Sequence, residues 1–325
     1  MSARMLLNAE LALGHSMLLC ALILLFALWM DRLLGEPAKF HPLVGFGWLV
    51  SKIEISARKL NYLTVRQQGI VAWVMAVVPI TLTTVALLVL TAQLSLVLYM
   101  VLSTVLVYLT LGGRDLIEHA HNIYKPLQAE DIESARYQVS LIVSRNTEKM
   151  SVQDITSSTI ESVLENGNDA VFAPMFWFLV FGAPAAVLFR LANTLDAMWG
   201  YKNEQYLNFG RFTAQTDDVL GWIPARLTAI IYAFQGHFNK AITCWRTQAK
   251  QCSSPNGGVV MTAGAGALNV IIGGPTYYHG VLHDKKPMGC GELATWHVIP
   301  KSNQLIRRGS FALSYVLVVT AIAGV

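Results

Sequence analysis

Five polar stretches of this chain carry side chains able to handle metal ions, phosphates or protons. TSSTIESVLENGNDA, residues 156–170, sets Glu161 and Glu165 four apart, with Asp169 just beyond. Ser158 and Glu161 have capping-box spacing, and Asn166-Gly167 reads as a helix stop. The carboxylates are therefore expected on one face of a short helix. Local physics disfavours this: like charges one turn apart cost about 0.2–0.5 kcal/mol, and Glu165 would face the negative end of the helix dipole. A cation relieves both, and hard oxygen ligands suit Mg²⁺, especially phosphate-bound Mg²⁺. A solvated helix end, or pairing with Arg145 or Lys149, explains the same residues.

ANTLDAMWGYKNEQYLNFG, residues 192–210, concentrates Asn193, Asp196, Lys202 and Glu204. Leu188–Trp199 reads as helix with Gly200 as its cap, so Asn193 and Asp196 share a face. Lys202 and Glu204 form either part of a site or a surface ion pair of small value. In TDDVLGWIPARLTA, residues 216–229, Pro224 suits the first turn of a new helix. Arg226 then sits at a positive helix end, where an anion or the carboxylates of Asp217 and Asp218 must oppose it. Those two acids serve either as its salt-bridge partners or as metal ligands. SPNGG, residues 254–258, leads into a helix of small residues; Ser254, Asn256 and Gly257 form either a phosphate seat or an ordinary turn ahead of close packing. DRLLGEPAKFHPLVGFGW, residues 31–48, surrounds Asp31, Glu36 and His41 with Gly and Pro, which predicts a turning backbone that holds ligand-contacting groups or merely punctuates a loop.

These stretches are set in an apolar chain. Of 325 residues, 54% are hydrophobic and 14% charged, and the mean hydropathy is +0.46. That excludes an ordinary soluble domain and predicts an integral membrane protein. A net charge of +4 gives no ground for nucleic-acid binding. The four cysteines lack any paired metal or disulfide spacing, and no GxxxxGK[ST] phosphate loop occurs.

A span needs about 20 apolar residues. Segments 11–30, 69–90, 94–111 and 310–325 qualify, the second and third forming a hairpin across Thr91-Ala92-Gln93. Lys and Arg concentrate in 31–68 and in 112–169, which predicts an outside N-terminus and cytoplasmic 31–68 and 112–309 regions. Within 112–309, the apolar stretches 170–191, 223–234 and 258–274 are short or interrupted by Pro and Gly. Such helices persist at membrane depth only around protein or a water-filled cavity. The expected fold is all-α: one polytopic domain with four or more transmembrane helices and a cytoplasmic-face region of broken or re-entrant helices. A regular seven-span bundle is the competing layout.

The motifs also line up with a known family. DRLLGEP…HP at 31–42, ESVLENGNDA at 161–170, APMFW at 173–177 and NTLDAMWGYKNE at 193–204 resemble the cobalamin-biosynthesis CobD/CbiB family. So do FGRF at 209–212, DDVLGWIPARLTA at 217–229, SPNGG at 254–258 and GGPTYYHG at 273–280. Asn146 and Gly221 depart from the family pattern, and neither is given a role. The resemblance implies a multi-pass protein of the bacterial inner membrane, an adenosylcobinamide-phosphate synthase. It would ligate adenosylcobyric acid to (R)-1-amino-2-propanol or its O-phosphate, with ATP as co-substrate and Mg²⁺.

On that reading Glu161, Glu165, Asp169, Asp217 and Asp218 bind metal and phosphate, and Lys202 and Arg226 neutralise phosphate oxygens. Asp196 or Glu204 acts as base. Asn193, Asp31, His41, Ser254, Asn256 and Gly257 contact substrate. All are expected in one pocket at the inner rim of the bilayer. Partners would be the corrinoid, the aminopropanol phosphate and membrane lipid, with association to other pathway enzymes or a second copy. The alternatives are a corrinoid-binding transport protein without chemistry and an AmpE-like membrane signalling protein.

Overall fold

The computed structural model describes residues 17–37, 42–143, 146–274, 276–278, 281–283 and 286–323. In chain order its helices are α1 (Met17–Leu34), α2 (Pro42–Arg58), α3 (Val65–Leu94), α4 (Leu96–Tyr108), α5 (Gly113–Gln128), α6 (Ile132–Ser140) and α7 (Val152–Gly167). A π turn, Asn168–Phe172, leads to α8 (Ala173–Phe181), α9 (Ala183–Trp199), α10 (Arg211–Phe234), α11 (Phe238–Gln248), α12 (Gly257–Leu268) and α13 (Ile299–Ala323). The protein is all-α in class. Among the described residues, four stretches are long and apolar enough to cross a membrane: Met17–Leu34, Val65–Leu94, Leu96–Gln128 and Trp296–Ala323. The chain divides into two compact units, 1–112 with 173–221 and 313–325, and 113–172 with 222–312.

In the first unit, residues 42–48 are not the turning backbone the sequence suggested for 31–48 but the start of α2. Pro42 opens α2, where its missing N–H costs nothing, and Gly45 and Gly47 lie inside the helix. Phe46, Val50, Ile53 and Ala57 recur at helical spacing and pack against Ala72, Trp73, Ala76 and Val77 of α3 and Leu191, Leu195 and Trp199 of α9. Burying each large side chain of this set contributes roughly 1.5–3 kcal/mol. Thr64 and Gln67 cap the start of α3 reciprocally. The hairpin turn is also displaced from 91–93: α3 runs to Leu94, and the single extended residue Ser95 (φ −164°, ψ 134°) separates it from α4. Val74, Met75, Leu82, Leu90, Val97 and Val101 remain exposed along α3 and α4, the surface expected to face lipid.

Helix α10 shows the largest departure. Pro224 was expected to start a helix but lies inside one. Its ring removes the donor that would reach the Leu220 carbonyl. The Trp177 indole Nε1–H supplies it instead, at 3.1 Å. A tertiary donor thus repairs the defect that local propensity predicts will break the helix.

In the second unit, Ser151 and Asp154 form the capping box of α7. Ser158, expected in that role, lies inside the helix and donates to the Asp154 carbonyl. Nor does Asn166-Gly167 stop the helix, which continues into the π turn. Gly167 is there for space: a Cβ would collide with Ile306 and the Tyr232 hydroxyl. Helix α12 is built of small residues and is buried from Gly257 to Ala267. Gly264 meets the Leu164 side chain, and Gly266 lies against the backbone of Lys240 and Ala241. The helix ends at Asn269, in the left-handed region at φ 56°, which Asn tolerates. Strands then follow, which the sequence reading did not anticipate. β1 (Val270–Gly273) pairs antiparallel with β4 (Pro287–Gly289) and parallel with β5 (Glu292–Leu293), while β2 (Thr276–Tyr278) and β3 (Val281–His283) form a separate pair.

Candidate functional site

The polar residues singled out above divide between the units. The first unit holds Asp31, Asn193, Asp196, Lys202, Glu204, Asp217 and Asp218; the second holds Glu161, Glu165, Asp169, Arg226, Ser254, Asn256 and Gly257. His41 lies outside the described residues.

In the first unit, α9 ends at Trp199 and residues 200–210 form a loop leading into α10. Gly200 caps α9 as expected, but its φ of −71° shows no need for left-handed backbone. Its value is space, because a Cβ would strike the Asp196 carboxylate. Asp196 therefore lies at the negative end of its own helix, where the dipole disfavours an anion. Across the loop, Asn193 Nδ2 donates to Asp217 Oδ1 at 3.2 Å. Burial raises the Asp218 carboxyl above the ordinary carboxylate range, and the charge of Lys202 partly offsets this. A cavity of about 430 Å³ opens here, lined among others by Tyr201, Lys202, Tyr206, Arg211, Gln215 and Asp218. Glu204 is exposed and does not line it. Among the described residues no ion pair joins Lys202 to Glu204.

The loop is anchored by residues that the sequence reading passed over. Glu54 Oε2 accepts from the Trp199 indole at 2.9 Å and from the Tyr206 hydroxyl at 3.4 Å. Its other oxygen accepts from Arg58 Nε at 2.9 Å. Arg58 also donates to the Gln205 carbonyl at 3.2 Å and lies 4.2 Å over the Phe209 ring. The available signal was an acid–base pair at i, i+4 in a segment counted only for its positive charges. At the loop base, Gly210 packs on the Trp199 carbonyl and Gly69 of α3 on the Phe209 carbonyl, both too close for a Cβ. Elsewhere in this unit, Asp31 is buried at the end of α1, and Glu36 of the same motif lies 3.6 Å from Arg190 on α9.

In the second unit the polar groups converge on the N-terminus of α12. The Ser254 hydroxyl accepts from the Gly257 N–H at 2.9 Å and from the Asn256 N–H at 3.4 Å. The Glu165 carboxylate packs directly against the Gly257 α-carbon. So the positive end of α12, not only a bound cation, relieves the charge at Glu165. Arg226 is mid-helix rather than at a helix start. It donates to Asn256 Oδ1 at 2.8 Å and to the Pro255 carbonyl at 3.3 Å, and its guanidinium stacks 4.4 Å from the Trp222 ring. Burial lowers the pKa of Arg226.

The remaining two acids of this set are spoken for locally. Glu161 is buried and accepts from the Ser157 hydroxyl at 3.1 Å, which itself accepts from the Gly273 N–H. Asp169 accepts from Asn168 at 2.8 Å, and Asn168 from Thr228 at 2.9 Å. Among the described residues no three His, Cys, Asp or Glu side chains converge on a metal-sized point. The five expected metal ligands therefore do not form an all-protein cage. The all-oxygen donors fit Mg²⁺ held through one or two carboxylates and substrate phosphates, its usual mode.

Comparison with known proteins places the chain. The family described as "CobD/Cbib protein" matches residues 24–306. The "Cobalamin biosynthesis protein CobD" of Chromobacterium violaceum is 49% identical over 294 residues, covering 89% of this chain and 93% of that protein. The protein of the same name from Stutzerimonas stutzeri is 47% identical, covering 82% and 86%. That of Halalkalibacterium halodurans is 34% identical, covering 86% and 89%. No solved structure matches significantly. With a family match over most of its length and relatives this similar, the chain belongs to the CobD/CbiB family.

Proposed function

We propose that this chain, acting in cobalamin biosynthesis, forms the amide between a propionate carboxylate of adenosylcobyric acid and (R)-1-amino-2-propanol or its O-phosphate. ATP drives the ligation, and the product is adenosylcobinamide or its phosphate. The carrying observation is the colinear family match across 89% of the chain. The polar chemistry agrees with it. A carboxylate does not condense with an amine at neutral pH until one oxygen becomes a leaving group. Transfer of the ATP γ-phosphoryl group to that oxygen, with ADP leaving, achieves this. The amine nitrogen then attacks the acyl carbon, phosphate departs, and a base takes the nitrogen's proton.

Lys202 and Arg226 are assigned to phosphate oxygens, the kind of fixed positive charge that phosphoryl transfer uses. Glu161, Glu165, Asp169, Asp217 and Asp218 are assigned as the oxygen donors for Mg²⁺ and its phosphates. Mg²⁺ bound to phosphate supplies charge neutralisation for the transferring group. Asp196, beside Gly200 at the helix end, is assigned as base, with the more exposed Glu204 as second choice. Asn193 orients Asp217. Ser254, Asn256 and Gly257 contact the aminopropanol phosphate, which would have to take over N–H groups that Ser254 now holds. Asp31 and His41 complete the substrate contacts. The Lys and Arg distribution supports the cytoplasmic face of the bacterial cell membrane.

The test uses the full chain in nanodiscs with ATP, Mg²⁺, corrinoid and amine. Amide formation and ADP release are expected only when both substrates are present. A transport or signalling protein gives neither. Asp217→Asn and Glu165→Gln should each slow the reaction at least tenfold; rates near wild type in both remove the metal assignment.

A further inference from the structure

A second cavity, of about 370 Å³, lies in the other unit and is absorbed by none of this chemistry. Gln235, Leu268, Lys301, Gln304, Leu305 and Arg308 line it. Lys301, Gln304, Leu305 and Arg308 recur at helical spacing, so one face of α13 presents two cations two turns apart, roughly 10 Å along the axis. Among the described residues neither cation has a carboxylate partner.

Gln235 adds a directional feature. Its amide nitrogen donates to the carbonyls of Leu305 at 2.9 Å and Ile231 at 3.2 Å. Those two acceptors fix which end of the amide is nitrogen. The amide oxygen is consequently left buried and without a hydrogen-bond partner, a state that costs free energy unless a donor arrives. Gly309, with no Cβ, makes room for that amide against α13.

Position identifies the occupant. The cavity sits where α13 passes from charged residues into its apolar run, and Trp296–Ala323 is long and apolar enough to span. Phe234 and Phe238, beside Gln235 on neighbouring helices, are exposed and pack together at 5.0 Å. Aromatic rings and cations at the end of a span mark the headgroup layer. Basic pockets at that level suit lipid phosphates.

We propose that this cavity binds the headgroup of an anionic phospholipid whose phosphate lies between Lys301 and Arg308 and whose hydroxyl donates to the Gln235 amide oxygen. Phosphatidylglycerol has both features; phosphatidylcholine has neither the net charge nor the donor. The test is native mass spectrometry of the full chain released from mixed phosphatidylglycerol and phosphatidylcholine nanodiscs, with thermal unfolding in each lipid alone. Wild type should retain phosphatidylglycerol preferentially and unfold several degrees higher in it. Lys301→Gln/Arg308→Gln should lose the preference, and Lys301→Arg/Arg308→Lys should keep it. Soluble glycerol phosphate should not compete; full competition would mean a free phosphate ligand and overturn the lipid assignment. Equal retention of both lipids by wild type overturns it too, and that reading does not depend on any variant folding.

Discussion

The loop at the end of α9 and the turn at the start of α12 carry similar residues in opposite ways. In the loop, Asp196 sits in the last turn of its own helix, and the exposed Lys202 and Arg211 line a cavity of about 430 Å³ together with Asp218. At the α12 turn, Glu165 sits at a favourable helix end, Ser254 caps the N–H groups, and Arg226 closes on Asn256 and Pro255. One arrangement leaves charged groups around open space. The other closes its charged groups on one another. Open space lined by charge leaves room for a ligand, whereas the turn's groups already satisfy each other.

That contrast can be broken in order of effect. Arg226→Ala should be most damaging, because it removes both the tie to Asn256 and Pro255 and the cation assigned to phosphate; about a 100-fold loss of the proposed amide formation is expected, the scale of removing one preorganised charge. If steady-state assay shows a loss under threefold, Arg226 is structural ornament. Glu54→Ala strips the loop of its anchor and leaves the fully buried Trp199 indole without an acceptor. An unfolding cost of about 1–3 kcal/mol follows, read from thermal denaturation together with faster proteolysis within 200–210. Trp177→Phe removes the donor that serves the Leu220 carbonyl above Pro224. It should cost about 1 kcal/mol, and Pro224→Ala in the same chain should recover most of it.

The smallest effect is a pH dependence at Asp218. Its folded pKa is raised, so the folded state holds the proton more tightly than the unfolded chain. Stability from this group is present below the ordinary carboxylate pKa and is lost as pH rises through the folded value. Asp218→Asn should therefore unfold slightly higher than wild type at neutral pH, with the gap closing below about pH 4. A constant gap across a melting series from pH 3 to 8 would show that Asp218 is not buried in this sense.

What the sequence made legible is uneven for physical reasons. The presence of long apolar helices, helix α9 and its Gly200 end are written in local composition, and they were readable. Pro224 was misread because the residue that rescues its helix, Trp177, lies 43 positions from the carbonyl it serves. Ser158 was misread because the spacing Ser-x-x-Glu recurs inside a helix already capped by Ser151 and Asp154. Strand β1 was hidden in a Gly-Ala-Val stretch whose period says nothing at four residues' length. Of the candidate residues, type and spacing were readable, but partners were not. Glu54 is distinguished only by what it touches, and the relief of Glu165 by a second helix is a tertiary fact.

The meeting of Gly69 and Phe209 has a mechanical consequence. Gly69 belongs to a 30-residue helix long enough to cross the bilayer, and the Phe209 carbonyl rests on it with no room for even a methyl group. The floor of the loop is thus seated on a rod of membrane-spanning length and apolarity. When lipid of a different thickness makes that rod lean, the seat leans with it, so bilayer thickness becomes a variable that acts on the loop's geometry.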